Sequence, residues 1–562
     1  MYNITRLWRS LLAASLFFGL LPLRAQDRSV VDRLLDRIVQ HEQEFLQNLK
    51  AHSPIIETYI QETPEGDPSD FLPSKDHYFL GRMGLTDVVN YESFLTRTDN
   101  RKGSKVPFSK SQATEFLPRG FAQMTVLDAT NFSRRAYSFD YVRREFLGDV
   151  RCLVFDVYPI DRSVAGQFVG SIWVEDKDYR IVRFNGTYTR SPAKSHFSLH
   201  SAEQLYFHFD SWRLNVGPGQ WAPAFVYVEE SGGRGKDGRA SRFKAQSRLW
   251  GFNSTVSNRL EELTSILIDT ESPVKDDSGS KDVSPLESQR SWEHQAEENI
   301  VDRLQKGGLL APKGDVDEML NTVVNNLIVT NNLSVSASCR VLLTTPLETF
   351  SMGHTIAISR GLLDVLPDEA SLAMVLAQEL AHIALGHRTA TEFAFHNRTM
   401  LSDNEILQRF RFQRSEAEIV TAGRKTVEIL QNSPYKQKLG NAELFLNALN
   451  SRAGRLPKLI QATVGNQLAS AETLARLAAF ASQAPALQEK NLTQIAALPL
   501  GSRIKVDPWT NQITLMKAKP ISLLSAREKM PFEVTPFVIH LTRTERTDKQ
   551  VEQAKACSNC AQ

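Results

Sequence analysis

The sequence predicts an α+β chain, with an antiparallel β domain carrying a helix first, then a mainly helical domain and a short strand-containing tail. Three observations predict it. Apolar residues alternate along the chain between about residues 75 and 265, they recur at helical spacing from about residue 300 to 485, and a polar run separates the two patterns. With 562 residues, 41% hydrophobic and 23% charged, the chain can bury more than one core. Its formal charge of +2 supplies no field for collecting nucleic acid, so no nucleic-acid partner is expected.

The elements follow in order. Arg6 and Arg9 precede an apolar stretch from Leu11 to Leu21 that ends near Leu23-Arg24-Ala25, the pattern of a secretory signal. Residues 1–25 are therefore expected to be removed, leaving a periplasmic or secreted protein. Val30, Val31, Leu34, Leu35, Ile38, Phe45 and Leu46 then mark an amphipathic helix to Leu49.

Phe168–Val174 and Tyr179–Phe184 alternate around Asp176-Lys177-Asp178 and predict a hairpin. Further strands are expected at Arg151–Val157, Gln204–Phe209 and Phe225–Val228, with the Gly232–Gly235 cluster breaking the sheet as a loop. Residues 26–268 form this β-rich domain, 269–295 a linker around the polar run Lys275–Asp282, 296–485 the helical domain and 486–562 the tail. In the tail, Arg503–Val506 and Gln512–Met516 flank a turn at 507–511.

Cys152 and Cys339 sit in apolar or β-like runs and read as buried packing residues. Cys557 and Cys560 form a lone CxxC, which reads as a local disulfide.

The run Gly148–Val157, with Ile172–Glu175 and Tyr179–Arg183, resembles LolA-type lipoprotein-carrier domains. That resemblance implies a half-barrel-like sheet and contact with lipoprotein or lipid. A plain β-domain packing on its neighbour is the alternative.

The informative helix is Ser371–His387. Positions 378 and 382 are four apart and share a face, which is how two histidines grip zinc in an HExxH helix while the intervening glutamate polarises the metal-bound water. Here Glu379 and His382 stand, and Gln378 occupies the first histidine position. Thr355–Leu363, Pro367-Asp368-Glu369 and this helix resemble the family of HExxH zinc metallopeptidases containing CAAX prenyl proteases and BepA-like periplasmic peptidases, over about residues 340–425. The resemblance implies a metallopeptidase-like domain, zinc as cofactor, and unfolded or envelope proteins as clients. Glu379 becomes the catalytic base and His382 a metal ligand.

The family's third ligand is the first residue of a Glu-x-x-Ala-Asp pattern. Its match here, Arg414-Ser415-Glu416-Ala417-Glu418, puts Arg414 at the ligand position. Glutamine is a poor zinc ligand and guanidinium has no lone pair to give. Repair is conceivable if Glu416 supplies the carboxylate, or if His354 or His387 moves inward. Glu416 would point roughly 200° away from Arg414 on a shared helix. His387 suits a capping or supporting role, and His396 a surface position. With the metal lost, Arg414 is expected either to pair with Glu379 or to extend into solvent. Two functions are open: a metalloendopeptidase with unconventional ligands, or a catalytically silent peptidase-fold module binding protein or lipoprotein clients.

Overall fold

The computed structural model describes residues 21–64, 73–86, 88–95, 116–189, 207–234, 240–253, 285–366, 368–389, 391, 394, 408–461, 464–466, 468, 503–515, 534 and 540–543. The stretch up to residue 20, most of the expected linker, His396 and the CxxC lie outside them. The chain divides into two compact units, one of Met1–Ala51, Thr125–Ala222 and Ile539–Gln562, the other of His52–Met124 and Pro223–Val538. The fold is α+β, with ten antiparallel strands in the N-terminal half and helices after them. No helix among the described residues is long and apolar enough to cross a membrane.

In the first unit, α1 (Leu21–Lys50) begins earlier than the sequence pattern suggests and buries Leu35, Ile38, Val39, Leu46 and Leu49, spaced by three and four along one face. Glu42 lies on that same face, 2% exposed. Its burial is tolerated because Arg213 grips both carboxylate oxygens at 2.6 and 2.7 Å. Five strands form a meander in which each pairs antiparallel with the next: β4 (Tyr137–Leu147), β5 (Val150–Pro159), β6 (Phe168–Glu175), β7 (Ile181–Tyr188) and β8 (Phe209–Gly217).

The β6–β7 hairpin is the expected one. Its turn is held by Glu175, which is fully buried and accepts hydrogen bonds from the backbone N–H of Lys177, Asp178 and Arg180 and from Arg543. Of the strand expected at Gln204–Phe209, residues 204–206 lie outside the described residues, and the described strand runs from Phe209 to Gly217.

The second unit contains β1 (Ile55–Pro64), β2 (Lys75–Leu85), β3 (Val89–Ser93), most of β9 (Gln220–Arg234) and β10 (Ala240–Trp250), in the order β3-β2-β1-β10-β9. The glycine cluster does not break the sheet where expected. Gly233 and Arg234 still pair with Ser241 and Ala240, and a bulge between Ser241 and Phe243 absorbs the change of register.

The same unit holds α2 (Pro118–Gln123), α3 (Pro285–Lys306), which begins inside the stretch read as linker, α4 (Asp315–Thr330) and α5 (Arg360–Val365). A three-stranded sheet follows, ordered β11 (Ser338–Leu342), β13 (Thr355–Ser359), β12 (Thr349–Met352), with β12 antiparallel to β13 and at the sheet edge. The tail hairpin β14 (Ile504–Val506) and β15 (Ile513–Leu515) turns at Asp507, whose carboxylate accepts from Trp509 and Thr510 N–H. Cys152 and Cys339 are buried free thiols, each pushed up to about 12 by burial.

Candidate active site

The motif helix, α6 (Glu369–Ala384), is buried from Ala370 to Ile383, so it forms the centre of its unit. Asp368 caps its start by accepting the Ser371 N–H at 2.8 Å. Its end is a Schellman turn: His387 N–H donates to His382 O and Gly386 N–H to Ile383 O, with Gly386 at φ +68°. That turn folds His387 back over His382, and the two Nδ1 atoms lie 2.8 Å apart.

The hydrogen-bond order assigns the tautomers. Thr421 Oγ1 donates to the Ala417 and Glu418 carbonyls at 3.1 and 3.0 Å, so its oxygen accepts from His387 Nε2–H at 3.4 Å. His387 Nδ1 then accepts from His382 Nδ1–H, and His382 Nε2 keeps its lone pair. That Nε2 is buried without a hydrogen-bond partner, as is Glu379 Oε2. Replacing Gly386 with alanine forces a left-handed conformation on a β-carbon and is expected to cost about 1–2 kcal/mol and to loosen the histidine pair. The check is thermal unfolding with imidazole NMR; unchanged His382 and His387 resonances would show that the turn does not set their contact.

Glu379 is fully buried, and its Oε1 accepts from Asn466 Nδ2 at 3.1 Å. Burial raises its carboxyl above the ordinary value, opposed by Asn466, by the Arg414 charge and by Ser351. Burial, with the Arg414 charge and His387 adding to it, holds His382 down to about 3, against a raising influence from Glu418.

Arg414 does not lie on the following helix. Ser415 is the N-cap of α7 (Glu416–Gln431) and forms a capping box with Glu418, so the expected angular relation of Arg414 to Glu416 does not apply. Glu416 is exposed in the first turn of α7. Its neighbour Glu418 serves the cap, and its carboxyl is lowered by Ser415 and by the Arg414 charge in spite of partial burial.

The Arg414 guanidinium neither pairs with Glu379 nor extends into solvent. It donates to Ser351 O at 3.2 Å, to Ser351 Oγ at 3.0 Å and to the Arg388 carbonyl. Asn466 takes the place expected of Arg414, donating to Glu379 and accepting the Arg414 backbone N–H at 2.9 Å. The Arg414 charge nonetheless acts on both Glu379 and His382. His354 is exposed and bonded to the Ser336 carbonyl, away from this group. Gln378, 9% exposed, shares the His382 face of α6.

Sequence reasoning did not single out Asn466, Ser351 or Thr421. Asn466 and Ser351 lie on segments remote in sequence from the motif helix, and no spacing rule points from α6 to them.

These donors do not fit a catalytic zinc. The unpartnered Nε2 of His382 is a suitable ligand atom, but Gln378 and Arg414, which the sequence resemblance aligns with the other two ligands, offer only an amide and a guanidinium. Among the described residues, no group of three or more His, Cys, Asp or Glu side chains could hold a metal ion.

Residues 317–423 match the model of Peptidase family M48. The matched residues run from α4 through β11–β13 and α6 into α7, and include each motif residue discussed. No curated protein matches the chain. Among solved structures, a chain in the complex structure of Pseudomonas aeruginosa MucA/MucB is similar at 11% identity, covering 39% of this chain and 93% of that one with a TM-score of 0.12, which carries no argument.

Proposed function

We propose that this is an exported peptidase-family protein whose M48 segment no longer runs zinc hydrolysis and instead binds unfolded or misassembled protein clients of the cell envelope. One observation carries the reading. The Arg414 guanidinium, which the sequence resemblance aligns with the family's carboxylate ligand, is fastened to Ser351 and to the Arg388 carbonyl, and its charge acts on Glu379 and His382. A divalent cation brought there meets a fixed like charge and finds an amide where a second imidazole belongs. Export is supported by the N-terminal sequence pattern. Lipoprotein contact through the β-rich part is supported only by its strand pattern.

A specific feature favours the other reading, an active metallopeptidase: His382 Nε2 and Glu379 Oε2 are both unpartnered, and both are acceptors. The two readings separate cleanly. Elemental analysis of purified protein should find zinc far below one per chain, and casein should survive incubation with or without chelator. Stoichiometric zinc with chelator-sensitive cleavage would establish the metallopeptidase and end the proposal.

A further inference from the structure

The edge strand of the small sheet is not free. β12 has only one sheet neighbour, yet its four residues are at most 1% exposed. On its open side lie Val464, Gly465 and Asn466. Asn466 N–H donates to Thr349 O at 3.0 Å in an antiparallel bridge, and the Glu348 carboxylate accepts both Val464 and Gly465 N–H, at 2.9 and 3.1 Å.

Further contacts fix this segment. Phe412 N–H donates to Val464 O at 2.9 Å, and the Phe412 ring stacks on Phe350 at 4.5 Å and 3°. A β-carbon on Gly465 would stand 2.6 Å from Phe350 Cδ1 and 2.7 Å from Thr349 O, so glycine is required for the chain to approach so closely. Two residues along β12 from Thr349, Arg414 takes the Ser351 carbonyl. The open edge is thus covered at the carbonyls of Thr349 and Ser351, and Asn466 occupies one Glu379 oxygen as well.

We propose that Val464–Asn466 is a built-in strap that occupies the strand-addition edge of β12 beside Glu379, and that an extended polypeptide reaches this edge by displacing it. An edge strand with unpaired carbonyls is a template for an added strand, and main-chain bonds to it are sequence-independent. The strap uses the same bonds. Its latch is Glu348, a buried carboxylate that holds two successive amides of the strap and belongs to none of the motif positions. The strap's bridge to Thr349 is an isolated one, so it can break while β12 stays paired with β13. Displacement returns Thr349 O and one Glu379 oxygen to an incoming chain.

The inference rests on the reading of the M48 segment as a client-binding module, and its test is independent of metal content. Full-length protein and Glu348→Ala are compared by hydrogen exchange, and their binding of fluorescein-labelled reduced, carboxymethylated casein is measured by anisotropy. Glu348→Ala is expected to speed exchange in 464–466 and in β12 at least tenfold, with β11 and β13 still protected, and to tighten casein binding at least tenfold. In the unaltered protein, saturating casein should deprotect 464–466 while β12 stays protected, which serves as the test if Glu348→Ala fails to fold. Faster exchange without tighter binding, or casein binding that leaves 464–466 protected, overturns the strap. Zinc-dependent cleavage would instead overturn the functional reading.

Discussion

Replacing Glu57 with alanine is expected to destabilise the second unit by about 3–5 kcal/mol, the usual cost of removing one partner from a buried ion pair. Glu57 and Arg360 are 2% and 1% exposed at their side chains and meet at 2.8 Å. Glu57 also accepts from Tyr78 Oη at 2.8 Å and from Thr345 Oγ1 at 2.7 Å, and it takes the Thr345 backbone N–H. Arg360 donates its Nε–H to Leu343 O at 2.9 Å. Deleting the carboxylate therefore strands a guanidinium, a phenol, a hydroxyl and an amide in a space that water does not reach.

The same cluster includes Arg248, which burial lowers to about 9, with the Arg360 charge adding to the effect and Asp364 and Glu57 opposing it. Loss of Glu57 removes one of those two opposing carboxylates. Urea unfolding followed through exchange of β1 and β13 amides reads this unit separately from the other, which a single transition for the whole chain would not. A loss below about 1 kcal/mol would mean that the pair contributes no more than a surface bridge. Replacing both Glu57 and Arg360 with apolar residues should cost less than Glu57→Ala alone, because no charge is then left unpaired.

That cluster shows where sequence reading ends. The hairpin at Phe168–Tyr188 was legible because alternation and a turn sit within twenty-odd residues, and Glu175 reinforces a turn already written in Asp176-Lys177-Asp178. The motif helix was legible for the same reason, with Asp368 at one end and Gly386 at the other. Nothing local says that Glu57 meets Arg360, 303 residues away, or that Asn466 reaches Glu379 across 87.

The expected Arg414–Glu379 pair was reasonable electrostatics, but a short amide supplied by another segment took the carboxylate. Arg414 then found carbonyl acceptors instead. The placement of Arg414 on a helix failed on capping: Ser415 followed three residues later by Glu418 is the signature of a helix start, and it puts Arg414 before the helix.

The double substitution Gln378→His with Arg414→Glu is expected to create zinc binding, and neither change alone is. His382 already offers an Nε2 lone pair whose orientation is set through His387 and Thr421. Gln378→His adds a second imidazole one helical turn away on the same face. It leaves the guanidinium in place, however. At 4 Å in an effective dielectric of about 20, each unit of like charge costs about 4 kcal/mol, and zinc carries two. Arg414→Glu removes that repulsion and offers a carboxylate, but by itself leaves one imidazole and an amide.

Together the two changes supply the two-histidine, one-carboxylate set of a catalytic zinc with a position open for water. Ser351 then loses a donor, so some stability is expected to be lost, and zinc should restore it as bound ligand does for any folded state. The measurement is competition with a chromophoric chelator together with metal content after gel filtration. Zinc should be retained at one per chain only in the double variant, with affinity exceeding that of either single variant by more than the ~10–100-fold attached to supporting partners alone. Equal retention by Gln378→His alone would show that Arg414 moves aside readily, and that its bonds to Ser351 and Arg388 do not hold the metal out.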